Sequence, residues 1–539
     1  LYSNWGGCWN TAIGYEALTN NTTGLYNTAI GNTALKTNTT GYSNNAIGYY
    51  ALAENTTGQY NVALGHSALQ GNTTGCHNIA AGLQSLRCNT TGCWNTAIGC
   101  GVLYSNTTGT HNAAIGRSAL YCNIAGKCNV AVGYGTLYNN TSGSCNIGLG
   151  LNSLYCNTVG CNNAAIGSNA LYSNTTGCYN QAIGTGALNL NTTGCYNNAI
   201  GCRSLRANTT GSSNVALGTN NLFYSTIGSG NVAVGNSSLY SNISGNCNVA
   251  IGNNVLYSNT KGCLNTAIGG FRAMNANTSG ACNVAVGTYA LANNTSGNWN
   301  TATGFSTLDS NTTGCYNAAF GQTALYNSST GSCNTAIGMS SGKHLADGST
   351  ALSGPNNSTY LGACTRGCGA CDSNVTVLGY CACACGDNTV SIGNGCVTNT
   401  YINGTTTVTG DVSASGNGYF ACVIAGGYFE EKAASATLAE YPTGSIVVIG
   451  RDGDLVLSTK ENDKKVFGVT KQGVCQPIVL GAEPVLVTGD VKVGDFITTS
   501  DKPGHGKRVS QTIHGAVIAQ AMEAGCGCSY TLQAMIRKM

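Results

Sequence analysis

The chain has 539 residues with 77 Gly, and charged residues make up 8% of it, against roughly a quarter in an ordinary globular protein. Lys plus Arg total 22 and Asp plus Glu 19; the net charge of +3 excludes the basic footprint that nucleic acid or an anionic membrane would require. So little charge, with only 5 Pro, argues against a disordered chain, and no run of 18 apolar residues offers a transmembrane helix.

The chain opens inside a repeat. "LYSNWGGCWN" fits the second half of a unit whose full copies follow, so an upstream segment is expected. The Gly closing each NxA(I/V/L)G word recurs at Gly14, Gly31, Gly48 and Gly65, a 17-residue step that holds to Gly269. One extra residue near Gly270 lengthens a single step, and the period resumes through Gly304, Gly321 and Gly338, giving twenty such glycines. An Asn stands four places before each (Asn10, Asn27, Asn317, Asn334), and a Leu usually stands four places after (Leu18, Leu35, Leu52, Leu308).

Seventeen residues are too few for the helix pairs of longer-period solenoids, and the apolar positions do not follow helical spacing. They suit two short strands, the second beginning at the "AL" word, joined by turns in which Gly supplies positive φ and Asn bonds its own backbone. One such unit cannot bury its thin apolar face alone; identical rungs stacked in register can. The predicted fold is therefore all-β, a parallel β-solenoid rod over residues 1–338. The recurring Asn should form a ladder of amides up the stack. Ile13, Ile30, Ile47, Ile98 and Ile115 should fill one buried column, with Leu18, Leu35 and Leu52 in another.

Three further features recur in the rod. Many of the 29 Cys sit just before the Asn of NxAIG, as at Cys76, Cys93, Cys161, Cys178 and Cys195, and others one place later, as at Cys128 and Cys145. Equivalent Cys on adjacent rungs would lie about 4.8 Å apart at Cα, inside the disulfide range, but reduced packing as small hydrophobes is the favoured reading. NTT and NTS match the N-glycosylation sequon at nearly every rung, yet turn chemistry explains them without a glycan. Aromatic residues recur five places before the closing Gly, at Trp9, Tyr26, Trp94, Tyr179, Tyr196, Trp299 and Tyr316, and again at Tyr104, Tyr172, Tyr240 and Tyr257. Exposed, these could stack on sugar rings; alternatively they seal contacts between chains or coil edges. Residues 1–340 carry only three acids, Glu16, Glu54 and Asp309, so no paired-carboxylate or Ser/His/Asp constellation is expected, and no cofactor.

The words NTAIGYEAL, NVALGHSAL and NNAIGCRSL resemble the head repeat of trimeric autotransporter adhesins. That resemblance implies a left-handed parallel β-roll in which three chains pack side by side. It sharpens over residues 374–393, "NVTVLGYCACACGDNTVSIG", where Gly379 and Gly393 stand at the fourteen-residue head-repeat spacing. The 17-residue version is similar to repeats in bacteriophage tail-fibre-like proteins.

Residues 339–373 break the period and read as an irregular insertion or cap; 394–418, rich in Thr, Gly and Ser, read as a connector. Within "CACACG", Cys381, Cys383 and Cys385 would share one face of a strand and form the best, though weak, metal candidate, since no paired Cys and His spacing supports zinc. Residues 419–539 read as a small all-β domain from the strand words "SIVVIG", "DLVLST", "KVFGVT", "PVLVTG" and "FITTS". The set is similar to C-terminal domains of phage fibre proteins. Asp501 and His505, in "SDKPGHG", fit a turn better than a catalytic pair.

Together these readings point to a homotrimeric virion fibre, without enzymatic activity, that projects a C-terminal tip toward a host surface glycan or protein. Its upstream segment would join other virion proteins, with no membrane insertion. A bacterial cell-surface trimeric adhesin is the alternative. An ice-binding solenoid is disfavoured, because NTT places adjacent Thr on opposite sides of a turn.

Overall fold

The computed structural model describes residues 3–397 continuously; beyond them it describes residues 400, 407 and 409 and the backbone of nine strands between 429 and 536. The chain divides into two compact units, Leu1–Asn399 and Thr400–Met539.

The first unit is a parallel β-solenoid. Twenty-three short strands, from β1 (Thr11–Ile13) to β23 (Val390–Ile392), form one sheet in which every strand pairs in parallel with its successor. The register is that of the repeat: Thr11, Ala12 and Ile13 face Thr28, Ala29 and Ile30, which face Asn45, Ala46 and Ile47. At roughly 4.8 Å per step the stack rises about 105 Å.

Each strand holds three residues in most coils, and the middle one points inward. Ala29, Ala46, Ala97, Ala114 and Ala165 are fully buried, whereas Ile98 and Ile115 remain 41% and 43% exposed. The expected buried Ile column is therefore wrong: Ile13, Ile30, Ile47, Ile98 and Ile115 line the outside, and Ala lines the inside. The reason is volume. Leu18, Leu35, Leu52 and Leu120 are fully buried from the opposite wall, as expected, and the Ala of the "AL" word joins them at Ala34, Ala51 and Ala119. A coil this thin has room for one large side chain per rung, and the Leu takes it.

The wall carrying Leu is not the second strand that the sequence suggests. It runs as turns in which Leu18, Leu35 and Leu120 adopt φ of 52°, 51° and 52°. A left-handed Leu costs about 1–2 kcal/mol; burying its side chain returns roughly 2 kcal/mol, and its amide still bonds the next rung, as Leu18 N–H does to the Ala34 carbonyl at 2.9 Å. The closing Gly is required for a different reason. Gly116 has φ of 118°, and a Cβ there would stand 2.7 Å from the Gly133 carbonyl oxygen of the next rung.

Irregular coils show how the stack absorbs change. In β9 (Ile147–Leu149) Gly148 replaces the inward Ala, and the methyl of Thr136 fills the space, 2.5 Å from where a Cβ would lie. The extra residue near Gly270 becomes a bulge in β16 (Thr266–Phe271), where Asn253 pairs with Phe271, and the register then recovers. Residues 339–373 lie within the stack rather than beyond it. Thr335 of β20 (Thr335–Ile337) pairs with Thr359 of β21 (Thr359–Leu361), so this coil holds 24 residues. Its inward residue is Tyr360, fully buried, with Gly342 leaving room for the ring. The Tyr360 hydroxyl reaches Asp372 at 3.4 Å, and burial pushes its pKa well above the usual range. From β22 (Thr376–Leu378) to β23 the step is fourteen residues, Thr376 facing Val390.

The second unit is all-β. Its strands are β24 (Phe429–Glu430), β25 (Ile446–Ile449), β26 (Leu455–Leu457), β27 (Val466–Val469), β28 (Ile478–Val487), β29 (Phe496–Thr499), β30 (Gly506–Val509), β31 (Val517–Ala521) and β32 (Tyr530–Ile536). The five strand words all fall on strands. Pairing is antiparallel except between β28 and β30. Most of the connector 394–418 lies outside the described residues, as do Asp501 and His505.

Candidate functional site

The surface that the fold creates and the sequence reading misplaced is the outer face of the long sheet. Because the middle residue of each strand points in, the two flanking residues point out. They build two adjacent columns running from β1 to β23, one mainly of Thr, Val, Ala and Asn with Ile79, Ile147 and Gln181, the other mainly of Ile, Leu and Val with Ala81, Thr303 and Phe320. Neither column contains a charged residue over that length. Residues of the second column at Ile98, Ile166, Ile183, Ile251, Ile268 and Ile337 are each about two-fifths exposed. The second column makes an apolar ribbon about 100 Å long, broken by Thr303, longer than the patches that a soluble monomer ordinarily exposes.

The aromatic positions named from the sequence are all on the outside. Trp9, Tyr26, Trp94, Tyr179, Tyr196, Trp299 and Tyr316 are half or more exposed, and each has φ near 60°. What they present is constrained by their neighbours. Trp9 stacks on Tyr26 with centroids 4.7 Å apart, Tyr179 on Tyr196 at 5.1 Å, and Trp299 on Tyr316 at 6.3 Å. Trp94 lies inside a run of four rings, Tyr60, His77, Trp94 and His111, nearly parallel throughout. A ring stacked between two others has both faces covered, so only its edge meets solvent. Stacking on a sugar ring needs a free face, which leaves only the ends of each run open. The second column behaves likewise: Tyr104, Tyr121, Tyr138, Tyr155 and Tyr172 form a five-ring stack at 4.9–5.3 Å, with Arg87 donating to the Tyr104 hydroxyl at one end.

The sequon Asn is buried in every regular rung. Asn38 donates its amide to Asn21 Oδ1 at 2.8 Å and to the Gly41 carbonyl at 2.9 Å, so the nitrogen a glycan would need is inside the coil and occupied. The first Thr of NTT is also spent: Thr39 Oγ1 donates to the Thr56 carbonyl of the next rung at 3.0 Å. Only the second Thr, as at Thr40 and Thr57, stands outward.

Cys381, Cys383 and Cys385 alternate with the buried Ala382 and Ala384, so they do point outward. Cys381 is at φ 52°, however, so the segment is a turn rather than the expected strand. Among the described residues no group of three or more His, Cys, Asp or Glu could hold a metal ion, and these three Cys are included in that statement. Among them, too, no helix is long and apolar enough to cross a membrane.

No protein-family model matches this chain, and no curated protein matches it.

Proposed function

We propose that the protein is a structural fibre that assembles from parallel copies of itself, a homotrimer with its chains in axial register, and serves as a virion attachment fibre. The observation that carries this reading is the outward apolar ribbon. Its covering partner must match a 4.8 Å rise repeated over more than twenty rungs. A globular protein offers no such period; a second copy of the same solenoid does. The length of the ribbon and the absence of charge along it favour association of whole rods over capture of a compact ligand. The head-repeat resemblance of NTAIGYEAL and its relatives sets the expected copy number at three.

In this reading the rod is a spacer and residues 419–539 are the tip. The rod repeats one surface, whereas selective binding needs distinct, placed polar groups. Most of the charge lies in that C-terminal segment, at Arg451, Asp452, Lys464, Lys465, Lys502, Lys507 and Arg508; the side chains concerned fall outside the described residues.

Native mass spectrometry of the intact chain is expected to give about three times 54.7 kDa; a single-chain mass refutes the assembly. Removing 419–539 should abolish attachment to host cells while the rod still trimerises. Attachment retained by the trimeric rod would move recognition to the open ends of the aromatic stacks.

A further inference from the structure

The rod brings free cysteines of adjacent rungs together. Cys76 and Cys93 occupy the same position on adjacent coils, and their sulfurs lie 3.0 Å apart. The Cys76 amide N–H also donates to Cys93 Sγ at 3.1 Å, which holds the second sulfur directly above the first residue. The amide-to-sulfur bond recurs in a set of three: Cys161 N–H donates to Cys178 Sγ at 3.1 Å and Cys178 N–H to Cys195 Sγ at 3.1 Å.

Packing does not require sulfur here. One rung further on, Cys195 N–H donates to Ser212 Oγ at 3.1 Å, and Ser212 N–H donates to Ser229 Oγ at 3.0 Å. Serine therefore makes the same rung-to-rung bond in the same column. Thiol pairs at 76/93 and 161/178/195 bring a chemistry that Ser lacks. Neighbouring strands also place the two Cα atoms about 4.8 Å apart, within the 4.4–6.8 Å span of a disulfide. Closing the sulfurs from contact to a bond of about 2.05 Å asks for χ1 rotation and for the two Cβ atoms to draw in to within about 4.5 Å, a shift of a few tenths of an ångström between rungs.

We propose that Cys76 and Cys93 form an axial disulfide staple between adjacent rungs when a small-molecule disulfide such as oxidised glutathione is supplied. Cys161, Cys178 and Cys195 form a second such site, in which Cys178 bonds either neighbour. The chemistry is two thiol–disulfide exchanges. Cys93, as thiolate, attacks one sulfur of the small disulfide; that S–S bond breaks, and one small thiolate leaves. Cys76 then gives up its proton and attacks Cys93 Sγ in the mixed disulfide, expelling the second small thiolate. The two protons released by the cysteines end on the two small thiols. The protein pair is oxidised by two electrons, and the small disulfide is reduced by two. Burial and the neighbouring thiol push Cys76 up to about 11, which suits it to the second step, within an already formed mixed disulfide, better than to the first. The inference does not depend on the fibre reading, because both partners belong to one chain.

The test uses the full chain, purified reduced, treated with oxidised glutathione, alkylated, and digested with trypsin. Cleavage after Lys36, Arg87 and Arg117 separates Cys76 from Cys93. The expected result is peptide 37–87 joined to 88–117 through Cys76 and Cys93, while the denatured, unreduced protein still runs as a single chain. Cys93→Ser should lose that joined peptide and keep the thermal transition of the parent, since Ser holds the equivalent position at 212 and 229. The proposal is overturned if both cysteines remain fully alkylated after oxidant, if the glutathione adduct persists without closure, or if the link joins two chains.

Discussion

Placing a carboxylate at residue 114 is expected to melt the middle of the rod, whereas one at residue 115 should leave the coil folded and take the assembly apart. Ala114 is fully buried and faces the Leu column across the lumen, so Ala114→Asp leaves an unpaired charge with neither water nor cation, at a cost of several kcal/mol. The damage should spread, because each rung is held only by its neighbours. Ile115 stands beside it in the same strand but on the outer wall. In the isolated coil Ile115→Asp should change the unfolding midpoint little, within the ordinary range of a surface substitution of about 0.5 kcal/mol. If the ribbon packs against other copies, that same change buries like charges at one level and should shift the native mass toward a single chain. Thermal unfolding and native mass measured on both variants separate the two roles. Loss of folding in Ile115→Asp with Ala114→Asp tolerated would mean that the inward and outward faces have been exchanged.

The contrast also shows where the sequence was legible. A fixed 17-residue step, an Asn and a Leu at fixed offsets, and Gly at each corner lead directly to a parallel stack, and even the irregular step near Gly270 is visible. The facing of the strand is not settled by hydrophobicity, because a three-residue T-A-I strand alternates equally well either way. Size variation among the repeats carries the missing signal. The middle position is almost always Ala, with Gly148 offset by Thr136 and Tyr360 accommodated by a longer coil. The Ile position ranges from Ala81 through Thr303 to Phe320. A close-packed interior tolerates one volume; a surface tolerates many. The left-handed Leu and aromatic positions had no comparable signal, since neither residue type favours positive φ. The aromatic columns were legible as positions, but not as stacks that cover their own faces.

The second large effect concerns the Asn ladder. Asn112 donates its side-chain amide to Asn95 Oδ1 at 3.1 Å and to the Gly126 carbonyl at 2.9 Å. Its own Oδ1 accepts from Asn129 N–H at 3.0 Å and from Asn129 Nδ2 at 3.1 Å. One side chain thus ties its rung to both neighbours and ties the strand corner to the corner at residues 123–126. Every partner is inside the coil, where water cannot substitute. Asn112→Ala orphans the Asn129 backbone N–H and leaves the Gly126 carbonyl with only its 3.2 Å bond from Asn123 Nδ2; with one unsatisfied buried group at about 1–3 kcal/mol and the other ladder bonds lost, the loss should be roughly 2–4 kcal/mol. Asn112→Asp keeps the acceptor for Asn129 but turns the donor toward Gly126 into a second acceptor facing a carbonyl, and it buries a charge, so it should be at least as damaging. The sequon Asn of the same coil, Asn106, bonds Asn89 Oδ1 at 2.7 Å and accepts from Asn123 at 2.7 Å; Asn106→Ala should therefore destabilise by a similar amount. A purely turn-forming role predicts otherwise, because a turn Asn replaced by Gly loses little. Guanidinium unfolding of Asn106→Gly beside Asn112→Ala decides between them: comparable losses place both amides in the ladder, and a negligible loss for Asn106→Gly would return the NTTG motif to a simple corner.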